Sequence, residues 1–139
     1  IYGNLHPDER PLIYQIAAQL ASLPPTDHIF APLTLGNHVD HQLARAAVEQ
    51  VFSPSKIRYY EDYPYAQEIG VLEAVVPADR SGWQSEVIPL KETAVQAKFD
   101  AISAFASQIS TFFTGRSDLE YQVGDYIRQV GGERIWRQT

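Results

Sequence analysis

Leu35-Gly36-Asn37-His38-Val39-Asp40-His41-Gln42 is the stretch around which this chain is organised. The apolar run Ile29-Phe30-Ala31-Pro32-Leu33 comes directly before it, and the amphipathic residues Leu43 to Phe52 follow. That order predicts a strand over 28–33, a tight glycine-containing loop and a helix over 39–52. Two histidines at i and i+3, with a carboxylate between them, therefore fall where a strand ends and a helix begins. Ligand and metal sites in α/β sheets collect at such places.

Outward from this centre the chain alternates helical and strand patterns. Leu12, Ile13, Ile16, Ala17 and Leu20 follow the 3.6 period, with Asp8 as the expected cap and Pro11 in the first turn, where a missing N–H costs little. Lys56 to Tyr60 predicts a second strand, followed by the turn-rich Glu61-Asp62-Tyr63-Pro64-Tyr65. Residues 71–76 fit a helical turn or a strand, and Glu86 to Leu90 reads as a strand. Val95, Phe99, Ile102, Phe105, Ile109 and Phe112 predict one long helix over 92–113. Ser117-Asp118-Leu119-Glu120 fits a capping box for a last helix that runs to Gly131-Gly132. Ile135-Trp136 is then a short apolar tail. No repeat or interior linker interrupts this pattern, so residues 1–139 are expected to form a single α/β domain.

Composition narrows the function. A 139-residue chain with 45% hydrophobic and 20% charged residues is that of a globular protein with one core. A formal charge of −6 argues against a nucleic-acid partner, which needs a basic stripe. No apolar run is long enough to span a membrane. Without cysteine there is no thiolate ligand or nucleophile and no disulfide. That absence leaves the compartment open, and a cytoplasmic location is the expectation. The sequence starts at Ile1 and has no methionine, so it is expected to be part of a longer product.

His38, Asp40 and His41 carry the chemistry. Neutral imidazole is the commonest protein ligand for zinc, and a catalytic zinc site takes three protein ligands plus water. A nearby carboxylate can fix a histidine's tautomer through its other ring nitrogen. One histidine can ligate while the other, paired with Asp40, serves as a general acid. The plainer alternative is a polar loop with Asn37 or Asp40 as a helix cap. Glu61 and Asp62 could help orient a ligand or bind a sugar, but fit an acidic turn somewhat better. The tyrosines at 59, 60, 63 and 65 offer stacking surface, although such clusters are more often packing.

Pro32-Leu33-Thr34-Leu35-Gly36-Asn37-His38-Val39-Asp40-His41-Gln42 resembles the second motif of the PIG-L/LmbE-like family of zinc-dependent N-acetylglucosaminyl deacetylases. Tyr60 to Ala66, Ala97 to Ile102 with Ser107-Gln108, and Gly132 to Arg137 resemble further segments of that family in the same order. The resemblance implies a Rossmann-like three-layer sandwich with a largely parallel sheet flanked by helices. It implies hydrolysis of an N-acetyl group on an N-acetylglucosamine-type sugar or conjugate, using one zinc ion. His41 would be a zinc ligand, His38 the acid for the leaving amine, and Asp40 the group that holds His38 in its tautomer. The resemblance assigns no substrate-binding residue.

The chain departs from the family in one respect. The family's first motif, His-Pro-Asp-Asp-Glu, supplies two zinc ligands and the general base and is absent here. His6-Pro7-Asp8-Glu9 lacks the second aspartate and no apolar strand precedes it, so it is not a substitute. The chain is thus expected to be the C-terminal portion of a deacetylase domain whose first strands are missing. Two further ligands and the cover for the sheet would come from an upstream segment or a partner chain. The competing expectations are a non-catalytic carbohydrate- or protein-binding fragment and another metal-dependent amidohydrolase.

Overall fold

The apolar run before the histidine stretch forms strand β1 (Ile29–Pro32), which pairs parallel with β2 (Ile57–Tyr60). A parallel pair needs a crossover, and helix α2 (Val39–Val51) provides it. Helix α1 (Arg10–Ala21) packs on α2, and α2 packs on β1. The computed structural model describes residues 2–139. It divides into two compact units, the described part of Ile1–Glu86 with Ile135–Thr139, and Val87–Arg134.

In the first unit, register decides which side chains are covered. Ile29 lies opposite Ile57 and Ala31 opposite Tyr59, so these side chains share one face. Ala31, Ile57 and Tyr59 are buried there with Leu33, Leu35, Val48, Val76 and Trp136. The alternate positions look the other way, and Phe30 is 56% exposed. The Tyr59 hydroxyl donates to Glu49 Oε1 at 2.8 Å, and Arg45 Nε donates to the same oxygen at 2.8 Å. Arg45 Nη1 also donates to the Leu33 carbonyl at 2.9 Å, which ties α2 to the end of β1. Burial, then the Glu49 bond, pushes the Tyr59 phenol well above its usual range.

The sheet corrects the expectation of a largely parallel, Rossmann-like layer. Its order is β1-β2-β4-β3, with β3 at Trp83–Ile88 and β4 at Glu133–Gln138. Only β1 and β2 are shown parallel. β4 runs antiparallel to β2, with Tyr59 opposite Trp136 and Tyr60 opposite Ile135. What reads as a short apolar tail is therefore an inner strand. Only Trp136 of β4 is buried, so a single large side chain does the work that an apolar run would advertise. β1 ends up at the edge of the sheet.

Val71–Val75 resolves as a short helix, α3. In the second unit, α4 (Glu92–Ser103) and α5 (Ala106–Phe112) replace the single helix expected over 92–113. Phe105 breaks it, with ψ at 57°, while the apolar period runs on through the break. Helix α6 (Arg116–Val130) packs on α4 and buries Leu119, Val123 and Ile127. The expected capping box at 117–120 is not formed. Asp118 Oδ2 instead accepts the Thr114 N–H at 2.8 Å. Gly131, at φ +88°, ends α6 in the left-handed conformation that glycine tolerates. At the other end of the chain Asp8 does not cap α1. His6 caps a 3-10 turn at Pro7–Glu9, accepting the Asp8 N–H at Nδ1 and donating its own N–H to Glu9. Among the described residues, no helix is long and apolar enough to cross a membrane.

Candidate active site

The chain leaves β1 through a strained turn. Thr34 has φ +68° and Asn37 φ +52°, and a β-branched residue in that region costs about 1–3 kcal/mol unless its surroundings enforce it. Two contacts enforce it here. The Leu35 N–H donates to Asp62 Oδ2 at 2.9 Å, fastening the turn to the residues after β2. A Cβ at Gly36 would stand inside the Tyr65 ring, so only glycine lets that ring close over the turn. The N-terminal segment braces the other side, where Tyr2 bridges His38 and Gln42 Nε2 donates to the Gly3 carbonyl at 2.6 Å.

His38 is the N-cap of α2. Its backbone is extended, and its Nδ1 accepts the Asp40 N–H at 3.2 Å. His41 stands one turn further on, with ring centroids 5.1 Å apart and planes tilted by 39°. The i, i+3 spacing on a helix start thus puts both imidazoles on one side of the first turn, as the sequence pattern requires. His41 Nδ1 lies 3.1 Å from Asp62 Oδ2, whose side chain is fully buried. Tyr2 packs edge-on against His38 at 5.5 Å, and Tyr65 against His41 at 6.1 Å. The two phenols are joined by a hydrogen bond of 3.1 Å. Burial, then the Tyr2 bond, raises the Tyr65 phenol well above its usual range, and the charge of Asp62 adds to the effect.

Two sequence expectations change at this point. The Asp40 carboxylate does not bond to His38. It lies 3.8 Å from Nδ1 with 77% of its side chain exposed, and the amide of the same residue takes that nitrogen instead. The physical reason is capping: an N-cap side chain finds a backbone donor two residues on before it finds a carboxylate. Asp62, by contrast, is no exposed acidic turn. β1 and β2 are parallel neighbours, so the segments after them meet at one end of the sheet and bring Asp62 to His41. Glu61 points elsewhere and accepts the Trp136 indole N–H at 2.7 Å, an anchor for β4. His6 pairs with Asp8 and Glu9 in its own turn.

The donor arrangement at His41 fits a metal ligand. Nδ1 is committed to a carboxylate and Nε2 makes no hydrogen bond among the described residues, the pattern of a histidine that ligates through its outer nitrogen. Among the described residues, however, no three His, Cys, Asp or Glu side chains form a metal-holding group.

The fold is similar to that of two deacetylases. Over 99% of this chain it superposes on the zinc-inhibited form of teicoplanin deacetylase Orf2 with a TM-score of 0.74 and 23% identity. Over 93% it superposes on the A40926 pseudoaglycone deacetylase Dbv21 with a TM-score of 0.65 and 22% identity. The chain spans 55% of each of those proteins. No family model matches the chain, and no curated protein is significantly similar to it.

Proposed function

We propose that this chain carries the histidine portion of the active centre of a zinc-dependent deacetylase of the PIG-L/LmbE type. The reaction is hydrolysis of an N-acetyl group on an N-acetylglucosamine-type sugar or conjugate. The observation that carries the proposal is His41, on a deacetylase fold, with Nδ1 held by a buried carboxylate and Nε2 free beside His38.

Bound zinc supplies Lewis acidity toward the acetyl carbonyl and lowers the pKa of water. His41 would hold it through Nε2. The remaining ligands and the general base would come from outside the chain. β1 is the edge strand and His41 follows it, so strands added at that edge would deliver donors beside His41. His38 faces the same space and would give its Nε2 proton to the departing amine nitrogen. To do so it must first take a second proton, on Nδ1, from solvent, so that loss of the Nε2 proton returns a neutral ring. Its Nδ1 then becomes a donor and must release the Asp40 amide, and the Asp40 carboxylate at 3.8 Å is the acceptor within reach. Asp40 therefore acts on the protonated form of His38, while its amide holds the neutral form.

The incomplete donor set favours a second reading, a non-catalytic carbohydrate-binding member of the same fold. The two separate by zinc content and acetate release from an N-acetylglucosamine conjugate, measured on the protein and its His41→Ala variant. The deacetylase reading expects zinc and turnover, both lost in the variant. Sugar binding that persists without zinc and without turnover would establish the second reading.

A further inference from the structure

We infer that the two histidines are held in opposite tautomers, His41 with its proton on Nδ1 and His38 with its proton on Nε2, and that Asp62 is the positioning residue for His41. The inference deepens the deacetylase reading and rests on it only where a metal is concerned.

At His38 the assignment follows from a backbone donor. An amide N–H can only donate, so the Nδ1 that receives the Asp40 N–H at 3.2 Å must be bare. In neutral imidazole the proton then sits on Nε2. At His41 the partner is of the opposite kind. Asp62 Oδ2 already accepts the Leu35 N–H at 2.9 Å and faces His41 Nδ1 at 3.1 Å as an acceptor. Nδ1 must donate, which leaves the Nε2 lone pair outward. One ring thus presents a proton and its neighbour, 5.1 Å away, a lone pair. A metal ligand needs the outward lone pair of His41, while the Nε2 proton of His38 is the one an acid at that position would give up once its Nδ1 is protonated as well.

A purely structural account of Asp62 is weaker. Fastening Leu35 needs one acceptor oxygen, which an amide side chain would provide without burying a charge. Asp62 is 2% exposed, and its Oδ1 has no hydrogen-bond partner among the described residues. Burying a half-satisfied carboxylate costs several kcal/mol in general. A cation held by His41 would offset that cost through the ring. Asp40 has neither property, since its carboxylate is exposed.

Long-range proton–nitrogen correlation spectra of the metal-free chain, recorded above about pH 8 where an ordinary imidazole is neutral, report both tautomers without any substitution. The expected result is Nδ1–H for His41 and Nε2–H for His38. Asp62→Asn should lower the Nδ1–H population of His41 and leave His38 unchanged, while Asp40→Asn should leave His41 unchanged. In the zinc-loaded protein, Asp62→Asn should weaken zinc binding by about 10–100-fold in a chelator competition. An Nε2–H tautomer at His41 in the unsubstituted chain overturns the inference, whether or not Asp62→Asn folds. If the tautomers are as stated but the protein binds no zinc, the inference stands and the zinc reading fails.

Discussion

The turn after β1 and the helical unit at Val87–Arg134 use charge in contrasting ways. Around His41 the polar groups are few, partly or wholly buried and shared: one Asp62 oxygen serves both Leu35 and His41. In the helical unit they are many and mostly exposed, the half-buried Lys98–Glu133 pair apart. Arg116 reaches Asp100 at 2.7 Å and Glu120 at 2.5 Å, Arg128 reaches Asp125 at 3.3 Å, and Lys98 pairs with Glu133. Solvent screens such surface pairs, which individually stabilise little. The buried turn spends stability on strained backbone and a half-satisfied carboxylate, while the helical unit holds itself by packing Leu119, Val123 and Ile127. Departure from cheap local chemistry thus marks the site better than abundance of charge does.

The largest test of that contrast is His41→Ala. It should strip zinc from the protein and abolish deacetylation, as read by elemental analysis and acetate release. Retained zinc would remove His41 from the ligand set. His38→Ala comes next: zinc stays, and the rate falls on the order of a hundredfold or more. Because His38 is also an N-cap, this variant should in addition lose about 0.5–2 kcal/mol of stability. His38→Asn keeps the cap, so a rate loss at unchanged Tm in that variant separates the two roles.

Gly36→Ala probes the turn without touching a charge. The new methyl must displace the Tyr65 ring, and overpacking of that kind costs about 1–3 kcal/mol. A chemical-denaturation midpoint equal to that of the parent would show that the ring is not held as described. Asp40→Asn should be milder than any change at His38, since the amide that caps is untouched; a turnover assay showing equal losses would contradict the geometry.

The smallest effect belongs to the helical unit. Thr114 and Gln122 hydrogen bonds hold the Asp118 carboxyl below its usual range, Gln122 most strongly. A depressed folded-state pKa stabilises above the unfolded value and is lost as pH falls through the folded one. Asp118→Asn should therefore lower Tm slightly at neutral pH, with the gap to the parent closing in acid. A gap that widens in acid would reverse the sign assigned to that carboxyl.

Much of this was legible locally. β1, the turn, α2 and the end of α6 at Gly131 follow from hydrophobic period, capping and glycine chemistry, which act within a few residues. His38 and His41 came with them, because spacing on one helical turn places their side chains together. Three things were not legible. β4 carries only one buried side chain, so its pairing with β2 left no apolar run to find. The break at Phe105 leaves the period of its helices intact. Asp62 lies 21 residues from His41, and only the parallel pairing of β1 with β2 makes them neighbours. Local sequence therefore determined which imidazoles stand at the helix start. Which ring offers a proton and which a lone pair depended partly on a local cap, at His38, and partly on tertiary structure, at His41. A buried acceptor that orients a ring across 21 residues can be delivered only by strand pairing, and strand pairing is a property of the folded sheet.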